Sequence, residues 1–226
     1  MKAASDKSLL HKVVQCGTIY SKSSAEKRGI ILSNAIGLVL CASCLILFVM
    51  YYIWYGWNFV TFAIPGIGLS CLAVIPLNFR GFNDTARIWI SIVIPLVTAA
   101  LSIYSKILYY DHQEELDYFT FRIIILGSCV FPWVLFSLNE KKFLITCSLI
   151  GFLLLIGYDP LHSAFGVPYQ QDKLKVMNYY FTNIVIFLVY WALMAHIIFL
   201  KRLSENTENR NVDLIDELNK VNGTLL

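Results

Sequence analysis

The chain has 226 residues, 58% of them hydrophobic, with a mean hydropathy of +0.64 and a formal net charge of only +3. Soluble domains sit at about 45–50% apolar, so the excess points to a bilayer as solvent. The near-neutral balance, with no basic stripe, excludes a nucleic-acid partner.

In chain order, residues 1–29 are polar and basic and precede any apolar run, which excludes a secretory signal. Within them, Leu9, Leu10, Val13 and Val14 fall on one helical face and Lys7, His11 and Lys12 on another. This predicts a short amphipathic segment on the inner leaflet, with a solvated tail as the alternative. Six apolar runs follow: Ile30 to Trp54, Phe59 to Phe79, Ile88 to Leu108, Phe121 to Leu138, Phe143 to Tyr158 and Tyr179 to Leu200. Runs of about 20 residues match the ~30 Å hydrocarbon thickness, so residues 30–200 are expected to be an all-α bundle of six transmembrane helices. The fourth and fifth runs are the shortest, and their limits are soft.

Basic residues set the expected orientation. Lys2, Lys7, Lys12, Lys22, Lys27, Arg28, Arg80, Arg87, Lys141, Lys142, Lys201, Arg202, Arg210 and Lys220 fall on one side, fourteen of the eighteen Lys and Arg. Lys106, Arg122, Lys173 and Lys175 fall on the other. The positive-inside rule then places both termini in the cytoplasm of a multi-pass protein of the cell inner (plasma) membrane.

Residues 201–226 turn polar. Leu214, Leu218, Val221 and Leu225 recur at spacings of 4, 3 and 4, a short a/d seam that predicts the start of a coiled coil and a homodimer.

Chemistry-bearing residues are few. The centres of the apolar runs lack Asp, Glu, Lys and Arg, which argues against an ion pump. His196, inside the sixth run, is expected to reach toward the headgroups or bond to a neighbouring helix. Cys41 and Cys44 form a CxxC in the middle of an apolar helix, which reads as packing. No catalytic motif, metal signature or cofactor motif occurs, so no catalytic residue, metal or cofactor is assigned. The outer connections are richer. Tyr104, Tyr109, Asp111, His112 and Glu115 lie between the third and fourth runs, and Asp159 and His162 between the fifth and sixth. They form the candidate binding site for an unidentified small molecule.

The layout resembles the six-helix membrane module of bacterial sensor histidine kinases and of membrane-bound class III nucleotide cyclases. The residues carrying the resemblance are the lead-in KVVQCGTIYSKSSAEKRGIILSN (12–34) and the exit FLKRLSENTENRNVDLIDELNKVNGTLL (199–226). No His-box, ATP-binding glycine motif or cyclase metal aspartate is present. The resemblance implies a receptor whose dimeric exit helix drives a cytoplasmic kinase or cyclase domain outside this sequence. A small transporter or channel for a neutral or lipophilic solute is the alternative.

Overall fold

The computed structural model describes residues 9–109, 115–168 and 179–224. The described residues are helical, and the chain divides into two compact units, Met1–Tyr179 and Tyr180–Leu226.

In the first unit, α1 (Leu9–Val14) and a 3-10 turn (Thr18–Tyr20) precede α2 (Ser24–Tyr55). Ser23 caps α2 by accepting from the Glu26 amide at 3.1 Å, and the Glu26 carboxylate accepts from the Lys22 amide at 2.6 Å. These two bonds satisfy amides that a helix start leaves without partners. Gly56 ends α2 and Asn58 caps α3 (Phe59–Leu72), taking the Thr61 amide at 2.9 Å. The helix yields at Ala73 and resumes as α4 (Val74–Phe79), because Pro76 has no N–H for the carbonyl one turn earlier.

Helix α5 (Asn83–Leu108) is the centre of this unit. Its buried residues include Asn83, Arg87, Ile90, Ile94, Thr98, Leu101, Ser102 and Ser105. They recur at helical spacing and face α2, α3, α4, α6, α7 and α8. Next come α6 (Glu115–Ser128), α7 (Phe131–Leu135), α8 (Lys141–Ile156) and α9 (Tyr158–Ala164). Pro132 deprives the Ser128 carbonyl of its helical donor and separates α6 from α7. Pro160 does the same to Ile156, and α9 turns from α8 by 64°.

Among the described residues, four helical stretches are long and apolar enough to cross a membrane: Ser24–Tyr55, Phe59–Phe79, Asn83–Leu108 and Phe181–Lys220. A fifth is obtained if the bent pair α8–α9 counts as one span. The expected fourth span, Phe121 to Leu138, falls short. Its apolar helical stretch is Phe119–Leu135, about 25 Å at 1.5 Å per residue, and the chain is extended at Phe136.

The surface is unlike that of a water-soluble protein. Val39, Leu45, Ile46, Val49 and Ile53 are exposed along α2, while Ser33, Asn34, Thr61, Asn78, Arg87, Ser91, Ser102 and Lys106 are buried. With the long apolar helices, this makes the protein membrane-embedded, since water would leave that surface unsatisfied.

Close contact between α2 and α3 depends on small residues, as lipid-embedded packing requires. A Cβ on Gly37 would sit 2.7 Å from the Cys71 carbonyl oxygen, whereas one on Gly66 would meet nothing within 4 Å. Gly37→Val should therefore destabilise the bundle by about 1–3 kcal/mol, the usual cost of overpacking, and Gly66→Val by much less. Unfolding of the two variants in mixed detergent micelles checks this. Cys41 and Cys44 lie against Gly68 at the same contact, and all six cysteines are free thiols.

The second unit is α10 (Tyr179–Thr224), 46 residues without interruption. It contains no proline, and its only glycine is Gly223. It therefore continues through Leu200 into the polar segment with its backbone bonds unbroken.

Candidate functional site

Two buried polar clusters sit at opposite ends of α5. Arg87 opens the helix and Ser102 follows fifteen residues on, about 22 Å along the axis.

At the first end, Arg87 is fully buried and forms a bidentate pair with Glu140, at 3.0 and 2.8 Å. It also pairs with Asp84 one turn earlier and donates to the Leu135 carbonyl at 3.4 Å. Its guanidinium lies 4.9 Å from the centre of the Phe136 ring. Gly29 makes room for this arrangement, because a Cβ there would sit 2.6 Å from the Leu135 oxygen and 3.1 Å from Arg87 Cδ. Glu140 in turn accepts from the Ser137 amide at 2.8 Å, so the turn into α8 is tied to the start of α5.

Beside it, the Asn34 amide donates to the Val14 and Cys16 carbonyls at 3.0 and 2.9 Å. Its oxygen accepts from Asn78 at 2.8 Å, and Asn78 also donates to Ser33 at 3.0 Å. Gly17, at φ 83°, fits against Asn78, where a Cβ would lie 2.3 Å from the backbone oxygen. The lead-in is thereby fastened to α2 and α4.

At the other end, Ser102 on α5 meets two groups of α9. Its hydroxyl contacts the Tyr158 hydroxyl and lies 3.0 Å from His162 Nε2. His162 Nδ1 is 2.8 Å from the Tyr158 carbonyl. A carbonyl only accepts, so Nδ1 carries the hydrogen. In the neutral ring Nε2 then accepts from Ser102, and Ser102 accepts from Tyr158. Arg122 on α6 packs over the Tyr158 ring at 5.1 Å, pairs with Asp159 at 3.5 Å and donates to the Leu155 carbonyl at 3.4 Å. Lys106 is also fully buried at this end of α5. Three elements, α5, α6 and α9, thus converge on one charged, largely buried knot.

The residues expected to bind a ligand are divided by the fold. Asp159 and His162 meet in the knot. Tyr104 instead packs on Phe59, with ring centroids 4.5 Å apart, and the Tyr109 hydroxyl accepts from the Phe59 amide at 3.2 Å. Asp111 and His112 lie outside the described residues, and Glu115 begins α6 with its side chain likewise outside them. Ser102, Lys106, Arg122 and Tyr158 were not among the expected site residues. Lys106 and Arg122, counted among the four bases of the outer side, are both buried. A hint existed in the spacing, since Ser102, Ser105 and Lys106 share a face of one helix. Among the described residues, no three His, Cys, Asp or Glu gather in a way that would hold a metal ion. His196 bonds within its own helix, Nδ1 lying 2.7 Å from the Ala192 carbonyl. Of the seam, Leu214 and Leu218 are exposed on α10, Val221 lies on the helix with its side chain outside the described set, and Leu225 lies beyond it.

No protein-family model, no curated protein and no solved structure matches the chain.

Proposed function

We propose that the chain is a membrane sensor module, with six transmembrane segments and both termini in the cytoplasm, that passes a signal to a cytoplasmic effector domain through a dimeric exit helix. The observation that carries this reading is the continuity of α10. One helix joins a bilayer-length apolar half, ending near Leu200, to a polar half bearing the Leu214, Leu218, Val221 and Leu225 repeat. A transporter gains nothing from such an extension, whereas a relay requires a stiff element common to both environments.

In this reading α6–α7 forms the fourth segment and α8–α9 the fifth, with short helices accommodated by local bilayer thinning. The Ser102 knot lies in the outer half and is the element on which a ligand acts. Its polar contacts join α5, α6 and α9, so any ligand with different affinities for two packings of these helices shifts their balance. The resemblance to sensor kinases and nucleotide cyclases suggests the effector class. The buried charges of the knot also count against a path for a neutral solute.

The test is disulfide cross-linking in native membranes of Leu218→Cys and Val221→Cys, with the wild-type chain and its six cysteines as the control. The relay predicts covalent dimers from at least one of the two. If neither dimerises beyond the control, the relay is wrong. Deleting residues 204–226 and finding solute flux intact would favour the transporter.

A further inference from the structure

We propose that the Arg87 end of the bundle carries a recognition surface for anionic lipid headgroups, built from α1, the Thr18–Tyr20 turn, the end of α4 and the start of α8. This rests on membrane embedding alone, so a failed cross-linking test of the relay leaves it standing.

Three observations converge. The first is tethering. Asn34 holds the Val14 and Cys16 carbonyls, Asn78 holds Asn34, and Gly17 packs against Asn78. The lead-in is therefore fixed at the edge of the bundle and not free to bury its apolar side elsewhere. The second is what that fixed segment presents. Leu9 is 80% exposed, Leu10 63% and Ile19 83%, and Phe79 and Phe82 are exposed beside Arg80. These side chains lie at the same end as the start of α2, whose apolar surface continues into the bilayer. An apolar face rimmed by cations is the pattern of a helix lying at the acyl–headgroup boundary.

The third observation is an asymmetry of charge. The acids described at this end are occupied within the protein: Asp84 and Glu140 by Arg87, and Glu26 by the Lys22 amide with Asn83 at 3.5 Å. The bases face outward, with Lys12, Lys22, Lys27, Arg80, Lys141 and Lys142 all exposed. Such a surface is cationic at short range. Its complement is a sheet of phosphate-bearing or carboxylate-bearing headgroups, which attract juxtamembrane bases.

Hydrogen exchange on the full chain in lipid nanodiscs tests the proposal. The amides of residues 9–14 should exchange at least about tenfold more slowly in phosphatidylcholine doped with phosphatidylglycerol than in phosphatidylcholine alone, an effect within reach of the attraction of two basic residues. High salt should erase the difference. The Lys12→Gln, Lys22→Gln, Arg80→Gln triple variant should lose it as well, with unchanged protection in α2 and α5 reporting an intact fold. Equal protection in both bilayers, or none in either, overturns the assignment. So does slowing produced by inorganic phosphate added to neutral nanodiscs, which would mean a soluble anion site.

Discussion

Glu140→Ala should cost about 3–5 kcal/mol of stability, the range measured when one partner of a buried ion pair is removed. Arg87→Met should cost less, about 1–3 kcal/mol. The asymmetry follows from exposure. Arg87 is 0% exposed, whereas the Glu140 side chain is 26% exposed and Asp84 54%. Without Glu140 the guanidinium is left in an apolar interior with Asp84 and one long carbonyl contact. Without Arg87 the two carboxylates can turn to water. Methionine also fills much of the volume and keeps an apolar contact with Phe136. The double variant Arg87→Met, Glu140→Ala should then be close to Arg87→Met alone, a coupling of opposite sign to the larger single loss. Unfolding midpoints of the four proteins in mixed micelles test it. Equal losses from the two single variants would mean that Arg87 is hydrated in the bilayer.

The second large effect is expected at the opposite end of α5. Ser102→Ala removes an oxygen on which the Tyr158 hydroxyl and His162 Nε2 both converge, and all three side chains are buried. Losing a partner in a dry interior costs about 1–3 kcal/mol per polar group, so about 2–4 kcal/mol is expected for the pair. Ser105→Ala is the matched control. Its hydroxyl donates only to the Ser102 carbonyl of its own helix, at 3.0 Å, and its loss should cost under about 1 kcal/mol. The variant also probes function. In the relay, Ser102 fastens α5 to α9, so Ser102→Ala should change the yield of cross-linked Leu218→Cys dimers. An unchanged yield would separate the knot from the output.

Much of the helical layout could be read from the chain. Hydropathy alone places Phe59 to Phe79 at the observed limits and the others within a few residues at most ends, since continuous apolar runs have one workable form in lipid. It fails where proline acts locally. Pro132 lies inside the expected fourth run and Pro160 two residues past the fifth, and the fold uses both as breaks, shortening the fourth stretch and turning α9 away from α8. Hydropathy also misjudges Arg87, Lys106 and Arg122. Each sits near the rim of an apolar run, where a loop charge and a buried one have the same local pattern. What distinguishes them lies far along the chain: Glu140 is 53 residues from Arg87, and His162 is 60 from Ser102. The Asn34–Asn78 clamp was invisible for the same reason, being 44 residues apart. The end of α10 exceeds its expected span by the most, because the helix formers after Leu200 carry the apolar helix onward without a break.

That unbroken length gives α10 leverage. From Lys201 to Thr224 the helix extends about 36 Å, so a tilt of about 5° at the membrane exit displaces its far end by roughly 3 Å. In the proposed relay, a rearrangement of less than a side-chain's width at the base of α10 would become, at the tip, about half the 5.4 Å rise of one helical turn. In that relay the rod would act as a mechanical amplifier, and a proline inserted between Lys201 and Asn211 would break it and disconnect the output.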